Sequence, residues 1–141
     1  LYRASEAGVK VDLIIRGICC LIPNQPYSKN IRVTRIVDAY LEHARVWYFL
    51  NGGKETIYLT SADWMQRNLH RRIEVAFPVY SEPLKRQIID ILKIQLEDNQ
   101  SAVWVNEHLD NVFKRDTASP DDTPIRAQQA IHDYLKQSTG Q

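Results

Sequence analysis

No apolar run in the sequence approaches the roughly 18 residues that a bilayer-crossing helix needs, so a helical membrane span is excluded. The first eight residues also lack the apolar stretch of a signal peptide, and position 1 is Leu rather than Met. Together these features carry the expectation that the chain begins inside a longer protein, in the last turns of a helix running into Gly8. Charge of one sign is missing too: Lys and Arg number 18, Asp and Glu 17, for a net charge of +1. No bulk field therefore draws the chain to nucleic acid or to a membrane surface. Cysteine is scarce, with only Cys19 and Cys20, and these are neighbours. A disulfide between adjacent cysteines closes a strained ring, so a disulfide framework is excluded and a reducing compartment is the simpler setting. No CxxC or HxxxH spacing supports a metal site, and the cysteine pair reads as apolar packing at a strand end.

What remains is an ordinary globular composition. Of 141 residues, 44% are hydrophobic and 25% charged, enough for one domain, expected to span 1–141. Residues 9–15 alternate and then turn wholly apolar, the pattern of a strand entering a buried sheet, and Arg16-Gly17 follows at its C-terminal edge. A loop is expected over 23–30. Ile36, Val37, Tyr40 and Leu41, at three- and four-residue spacings, predict a helix over 34–43. Two β-rich runs, 45–50 and 56–60, flank Asn51-Gly52-Gly53 and predict a hairpin. Ser61 or Asp63 is the expected cap of a short helix through 64–69. Residues 73–77 read as a strand stopped by Pro78, 81–98 as a helix opened by Ser81 and Pro83, and 102–105 as a last strand. A polar loop over 114–124 and a helix over 124–137 complete the chain, with a fraying tail. Interleaved strands and helices predict an α/β layered domain, a central mixed β-sheet flanked by helices.

The chemistry-bearing residues collect at the ends of predicted strands. His43 and Arg45 are two apart, and in extended chain such residues face the same side. A guanidinium that grips phosphoryl oxygens beside an imidazole that exchanges protons near neutral pH suits chemistry on a phosphoryl group. Ser61-Ala62-Asp63 opens a predicted helix, and Arg67, Asn68, Arg71 and Arg72 extend a cationic surface behind it. His70, His108 and His132 read as surface or structural. Trp47, Tyr48, Trp64 and Trp104 read as core aromatics.

The same segments carry a resemblance. GVKVDL at 8–13, RGICCL at 16–21, NIRV at 30–33, EHAR at 42–45, NGG at 51–53 and SADWMQRNLHRRIEV at 61–75 stand in one order. So arranged, and continued by Phe77-Pro78, they resemble the C-terminal domain of polyphosphate kinase, with the match concentrated in residues 1–80. That half of the family is similar to the phospholipase D fold, where His43-Ala44-Arg45 would stand for its HxK motif and Thr60-Ser61-Ala62-Asp63 for its GSxN segment. Arg in place of Lys, Thr in place of Gly and Asp in place of Asn weigh against independent phosphodiesterase activity.

The resemblance implies reversible transfer of the terminal phosphate of ATP to polyphosphate, with the phosphorylated histidine in a preceding, related domain that this chain lacks. His43 would then be the second active-site histidine, catalytic and ATP-binding, and Arg16 would bind ATP phosphate. Arg45, Ser61, Arg67, Asn68, Arg71 and Arg72 are the weaker candidates for the polyphosphate path. Strand tips are expected to bring His43 and Arg16 to one anion. The parent reaction implies Mg²⁺, although no carboxylate cage is visible in this chain and no metal ligands are assigned. The implied partners are ATP and ADP, inorganic polyphosphate, the preceding domains of the same enzyme and, in the full-length protein, further copies of itself; nucleic acid is not among them. The implied location is the cytoplasm, with room for peripheral contact with the inner membrane. Two other functions remain open on the residues: a phospholipase D-like phosphodiesterase acting as a homodimer, and a non-catalytic polyanion-binding module.

Overall fold

The computed structural model describes residues 1–139. Its elements run α1 (Tyr2–Glu6), β1 (Val11–Ile14), β2 (Ile31–Ile36), β3 (Val46–Phe49), β4 (Thr56–Thr60), α2 (Gln66–Arg71), β5 (Ala76–Pro78), α3 (Glu82–Glu97), β6 (Ala102–Val105), β7 (Asn111–Phe113) and α4 (Ala127–Thr139). Short 3-10 turns lie at Asn51–Gly53 and Lys114–Asp116. The expected α/β class holds, with two sheets rather than one. A mixed sheet has the order β1-β2-β6-β7, and an antiparallel sheet the order β3-β4-β5. The chain divides into two compact units, residues 1–42 with 91–141, and residues 43–90. Residues of α3 belong to both.

In the first unit β2 is the organising strand. It pairs parallel with β1, Val11 opposite Ile31, and antiparallel with β6, Thr34 opposite Trp104. Ile31 and Val33 are buried with Val105 in one cluster, against which Tyr2, Leu13, Cys19 and Leu21 pack. Ile36 is buried with Ala102 and Ala127 in another. The predicted helix over 34–43 is therefore overturned: residues 31–36 form a strand, and 37–45 are irregular. Alternating β-branched residues meet a sheet on both edges, and that pairing outweighs the helical spacing further along. The short strand β7, not anticipated, closes the sheet by pairing with β6.

Polar groups tie this unit's irregular segments down. The Asp98 carboxylate is fully buried. One of its oxygens accepts the N–H groups of Gln100, Ser101 and Ala102 at 2.7–2.9 Å, and the other accepts that of Ala127 at 2.7 Å. It thus fastens the start of β6 and the start of α4 at once, satisfying donors that helices and strands leave open at their ends. Within the expected polar loop over 114–124, Lys114 is buried and donates to the Leu96 carbonyl oxygen at 2.8 Å, its ammonium 4.0 Å above the Trp104 ring. Burial pushes its pKa down, opposed by the charge of Asp98. Cys19 packs as expected, whereas Cys20 is exposed. The helix at the C-terminus extends two residues beyond its expected end. Part of the tail expected to fray, residues 140 and 141, lies outside the described residues.

In the second unit the predicted hairpin forms, Phe49 opposite Thr56 and Val46 opposite Leu59. Its connection is longer than a two-residue turn and winds through the 3-10 turn, with Gly52 and Gly53 at φ of 64° and 92°. Ile57, Val79 and Ile89 form the core, flanked by Val46, Leu59 and Ile88. The strand expected at 73–77 is shifted to 76–78, and Pro78 is its last residue rather than its stop. An edge position permits that, because a proline there need not donate to a neighbour. The helix predicted at 81–98 appears as α3 with little change. Trp64 is not core: it is 56% exposed and meets the edge of Trp47 at a ring separation of 5.9 Å.

Candidate functional site

His43 lies in irregular chain just before β3, not at the end of a helix as the sequence had suggested. Its segment is held by the sheet, since the Arg45 carbonyl oxygen accepts the N–H of Thr60 at 3.0 Å. The chain here is extended enough that His43 and Arg45 do face one another. Arg45 Nη1 lies 3.3 Å from His43 Nδ1 and donates to the His43 carbonyl oxygen at 3.0 Å. The other side of the same guanidinium is held by Asp63, Nε to Oδ1 at 2.9 Å and Nη2 to Oδ2 at 3.4 Å. The side chain of Arg45 is only 20% exposed, whereas His43 is exposed.

Asp63 therefore does not cap a helix, and neither does Ser61. The N-terminal residue flanking α2 is Met65, which has no side-chain capping bond. The Ser61 hydroxyl donates to Glu74 and accepts the N–H of Val75 at 3.1 Å. The second oxygen of Glu74 accepts from Asn68 Nδ2 at 2.7 Å. The Ser61 hydrogen bond, then that from Asn68, holds the Glu74 carboxyl below its ordinary pKa, with smaller help from the charges of Arg72 and Arg45. Asn68 is turned inward at 4% exposure, and its side-chain Oδ1 is buried without a hydrogen-bond partner. Arg67 and Arg71, one helical turn apart on α2, and Arg72 just beyond it are exposed.

The structure thus gathers His43, Arg45 and Asp63 into one set of contacts and Ser61, Asn68 and Glu74 into another, both in the second unit. Arg16 belongs to the first unit, where it follows β1 and donates to the Glu42 carbonyl oxygen at 3.3 Å. Sequence reasoning missed Glu74 as the carboxylate that fastens Ser61 and Asn68, and it missed Asp63 as the partner of Arg45. The only signal was their place inside a segment dense in arginine. His70 is exposed, and His108 and His132 stand beside the acidic side chains of Glu107 and Asp133. Among the described residues, no group of three or more His, Cys, Asp or Glu side chains is arranged to hold a metal ion. Nor is any helix among the described residues long and apolar enough to cross a membrane.

Comparison with known proteins agrees with the motif order. Residues 1–128 match the family described as "Polyphosphate kinase C-terminal domain 2". A polyphosphate kinase of Yersinia pestis is 49% identical over 137 residues, covering 96% of this chain and 20% of that protein. One from Burkholderia cenocepacia is 56% identical over 117 residues, covering 82% of this chain and 17% of that protein. The crystal structure of polyphosphate kinase from Porphyromonas gingivalis superposes with a TM-score of 0.94 at 59% identity, over 98% of this chain and 21% of that one. The chain spans about one fifth of the length of the relatives it matches. On a family match covering most of its residues and on these relatives, the chain belongs to the polyphosphate kinase C-terminal domain family.

Proposed function

We propose that this chain is one part of an ATP:polyphosphate phosphotransferase, which moves the terminal phosphate of ATP reversibly onto a polyphosphate chain. Preceding domains of the same enzyme supply the histidine that carries the phosphate between the two substrates, and the 141 residues are inactive alone. His43 meets the nucleotide phosphates as the second active-site histidine, and Arg16 binds ATP phosphate. Arg67, Arg71 and Arg72 guide polyphosphate, a ligand of dense negative charge that exposed guanidinium groups suit without any base- or sugar-reading residue. Ser61 and Asn68 serve that path by holding its segment, since both side chains are committed to Glu74. Positioned cations are the expected main contribution to phosphoryl transfer, because they meet the charge that spreads over the transferring group. Mg²⁺ is required by the parent reaction, and no residue of this chain is assigned to it. The setting is the cytoplasm, where ATP is available, with self-association a property of the whole enzyme.

The observation that carries this reading is the family match over residues 1–128, joined to a histidine and an arginine in contact at its HxR motif. The test is made in the full-length enzyme. His43→Ala is expected to slow polyphosphate synthesis from ATP by about 100-fold or more, the usual scale for losing a proton-handling side chain. Arg16→Ala should raise the KM for ATP. A His43→Ala enzyme working at the normal rate removes the assigned role. If the 141-residue chain alone hydrolyses a chromogenic phosphodiester, and His43→Ala abolishes that, a phosphodiesterase replaces the phosphotransferase.

A further inference from the structure

We propose that Arg45 is a positioning residue: by donating into His43 Nδ1 it fixes the ring as the Nε2–H tautomer and turns that N–H outward toward the phosphate. This rests on the role proposed for His43. An arginine guanidinium carries only N–H donors and stays protonated throughout the working pH range. At 3.3 Å from Arg45 Nη1, His43 Nδ1 can gain from the contact only by offering its lone pair. A proton on Nδ1 would point two donors at each other, and flipping the ring would set a C–H against the guanidinium. The single ring proton of neutral His43 is therefore on Nε2, at the end of the ring away from Arg45.

The guanidinium is not free to drift away from the ring. Asp63 grips its Nε and Nη2 edge, the His43 carbonyl oxygen takes the same Nη1 at 3.0 Å, and the Arg45 backbone is bonded to Thr60. Asp63 thus orients Arg45, and Arg45 orients His43. The consequence is chemical. The one lone pair of the neutral ring faces Arg45, so His43 presents a hydrogen-bond donor to a phosphoryl oxygen and not a nucleophile. Arg45 itself is withheld from direct contact with polyphosphate, in contrast to Arg67, Arg71 and Arg72.

The chain has four histidines, so long-range ¹H–¹⁵N correlation spectra of the histidine-labelled 141-residue chain can report each tautomer. Recorded well above the ordinary histidine pKa of about 6.5, His43 is expected to show an unprotonated Nδ1 and a protonated Nε2. Arg45→Met and, more weakly, Asp63→Asn should populate both tautomers. A proton on Nδ1 in the unsubstituted chain overturns the proposal without need of any variant, and so does a tautomer unchanged in Arg45→Met. In the full-length enzyme, Arg45→Met should lower kcat by about 100-fold, the scale of a misplaced reacting group. Its KM for polyphosphate should stay within about twofold. A raised KM at unchanged kcat would make Arg45 a polyphosphate ligand and sink the proposal. The two readings fail separately: a mixed tautomer with an inactive His43→Ala enzyme removes only the positioning role, and the expected tautomer with a fully active His43→Ala enzyme removes only the functional one.

Discussion

Asp38 shows how much a single side chain can do where the chain has no regular structure. It sits in the irregular stretch after β2, its side chain 7% exposed, and meets the guanidinium of Arg126 with both oxygens. Ser101 donates to it at 2.9 Å, and the N–H of Ala39 at 2.8 Å. The Arg126 hydrogen bonds, reinforced by those of Ser101 and Ala39 against the cost of burial, hold its carboxyl well below the usual carboxylate range. A carboxyl whose pKa is depressed by folding stabilises the fold above its unfolded-state pKa and loses that contribution as pH falls through the folded value. Asp38→Asn should therefore lower Tm clearly at neutral pH, and the gap from the parent chain should close on acidification. A pH series of thermal unfolding curves checks this; a gap that stays constant into acid would show that the charge is not what matters. None of this was legible in the sequence, where the spacing over 34–43 predicts a helix. Its side-chain partners, Ser101 and Arg126, lie far along the chain and are found only through the fold. The pairing of His43 with Arg45 was legible, because a two-residue spacing in extended chain needs no tertiary information.

Elements were readable where one local rule dominated and misread where two competed. The α3 helix has a long apolar face and a proline in its first turn, and β6 is a short apolar run, so both appear nearly as the pattern predicts. Residues 31–41 carry alternation at one end and helical spacing at the other, and the paired sheet decided for the strand. Segment 61–65 looked like a helix entry because Ser and Asp are good caps, yet their oxygens are claimed by Glu74 and Arg45 across the sheet. Glycine illustrates the same divide. Gly53 sits at φ +92°, a conformation that L side chains rarely adopt, so Gly53→Ala should cost about 1–2 kcal/mol by chemical denaturation. Gly17 has no such dihedral, and a Cβ there meets nothing within 4 Å. Gly17→Ala should be neutral, or stabilise by up to about 1 kcal/mol through a less disordered unfolded chain. Equal losses in both would mean that the turn at 17 is strained in a way its dihedrals do not show.

At the scale of the whole molecule, the family was readable from the order of several motifs together, while no single motif carried it. The division into two units was not, since composition hardly changes along the chain and α3 carries its pattern through the boundary. Each unit has its own buried clusters. Ile57→Ala removes a fully buried side chain from the second core, a change that typically costs about 2–5 kcal/mol. Amide hydrogen exchange should then accelerate most within 43–90, with smaller changes in β1, β2 and β6. Uniform acceleration throughout would show the two units to unfold as one.

The topology also bears on how the chain is made. Residues 43–90 form an unbroken stretch, so every contact of the antiparallel sheet is available once that stretch has left the ribosome. The mixed sheet has no such freedom, because β2 waits for β6, and Thr34 meets Trp104 only after the intervening stretch has been synthesised. Until then β2, with Ile31 and Val33 on one face and Ile36 on the other, has one neighbour instead of two. The nascent chain therefore passes through a period in which the organising strand of its mixed sheet has an open side, which is where a chaperone would find its grip.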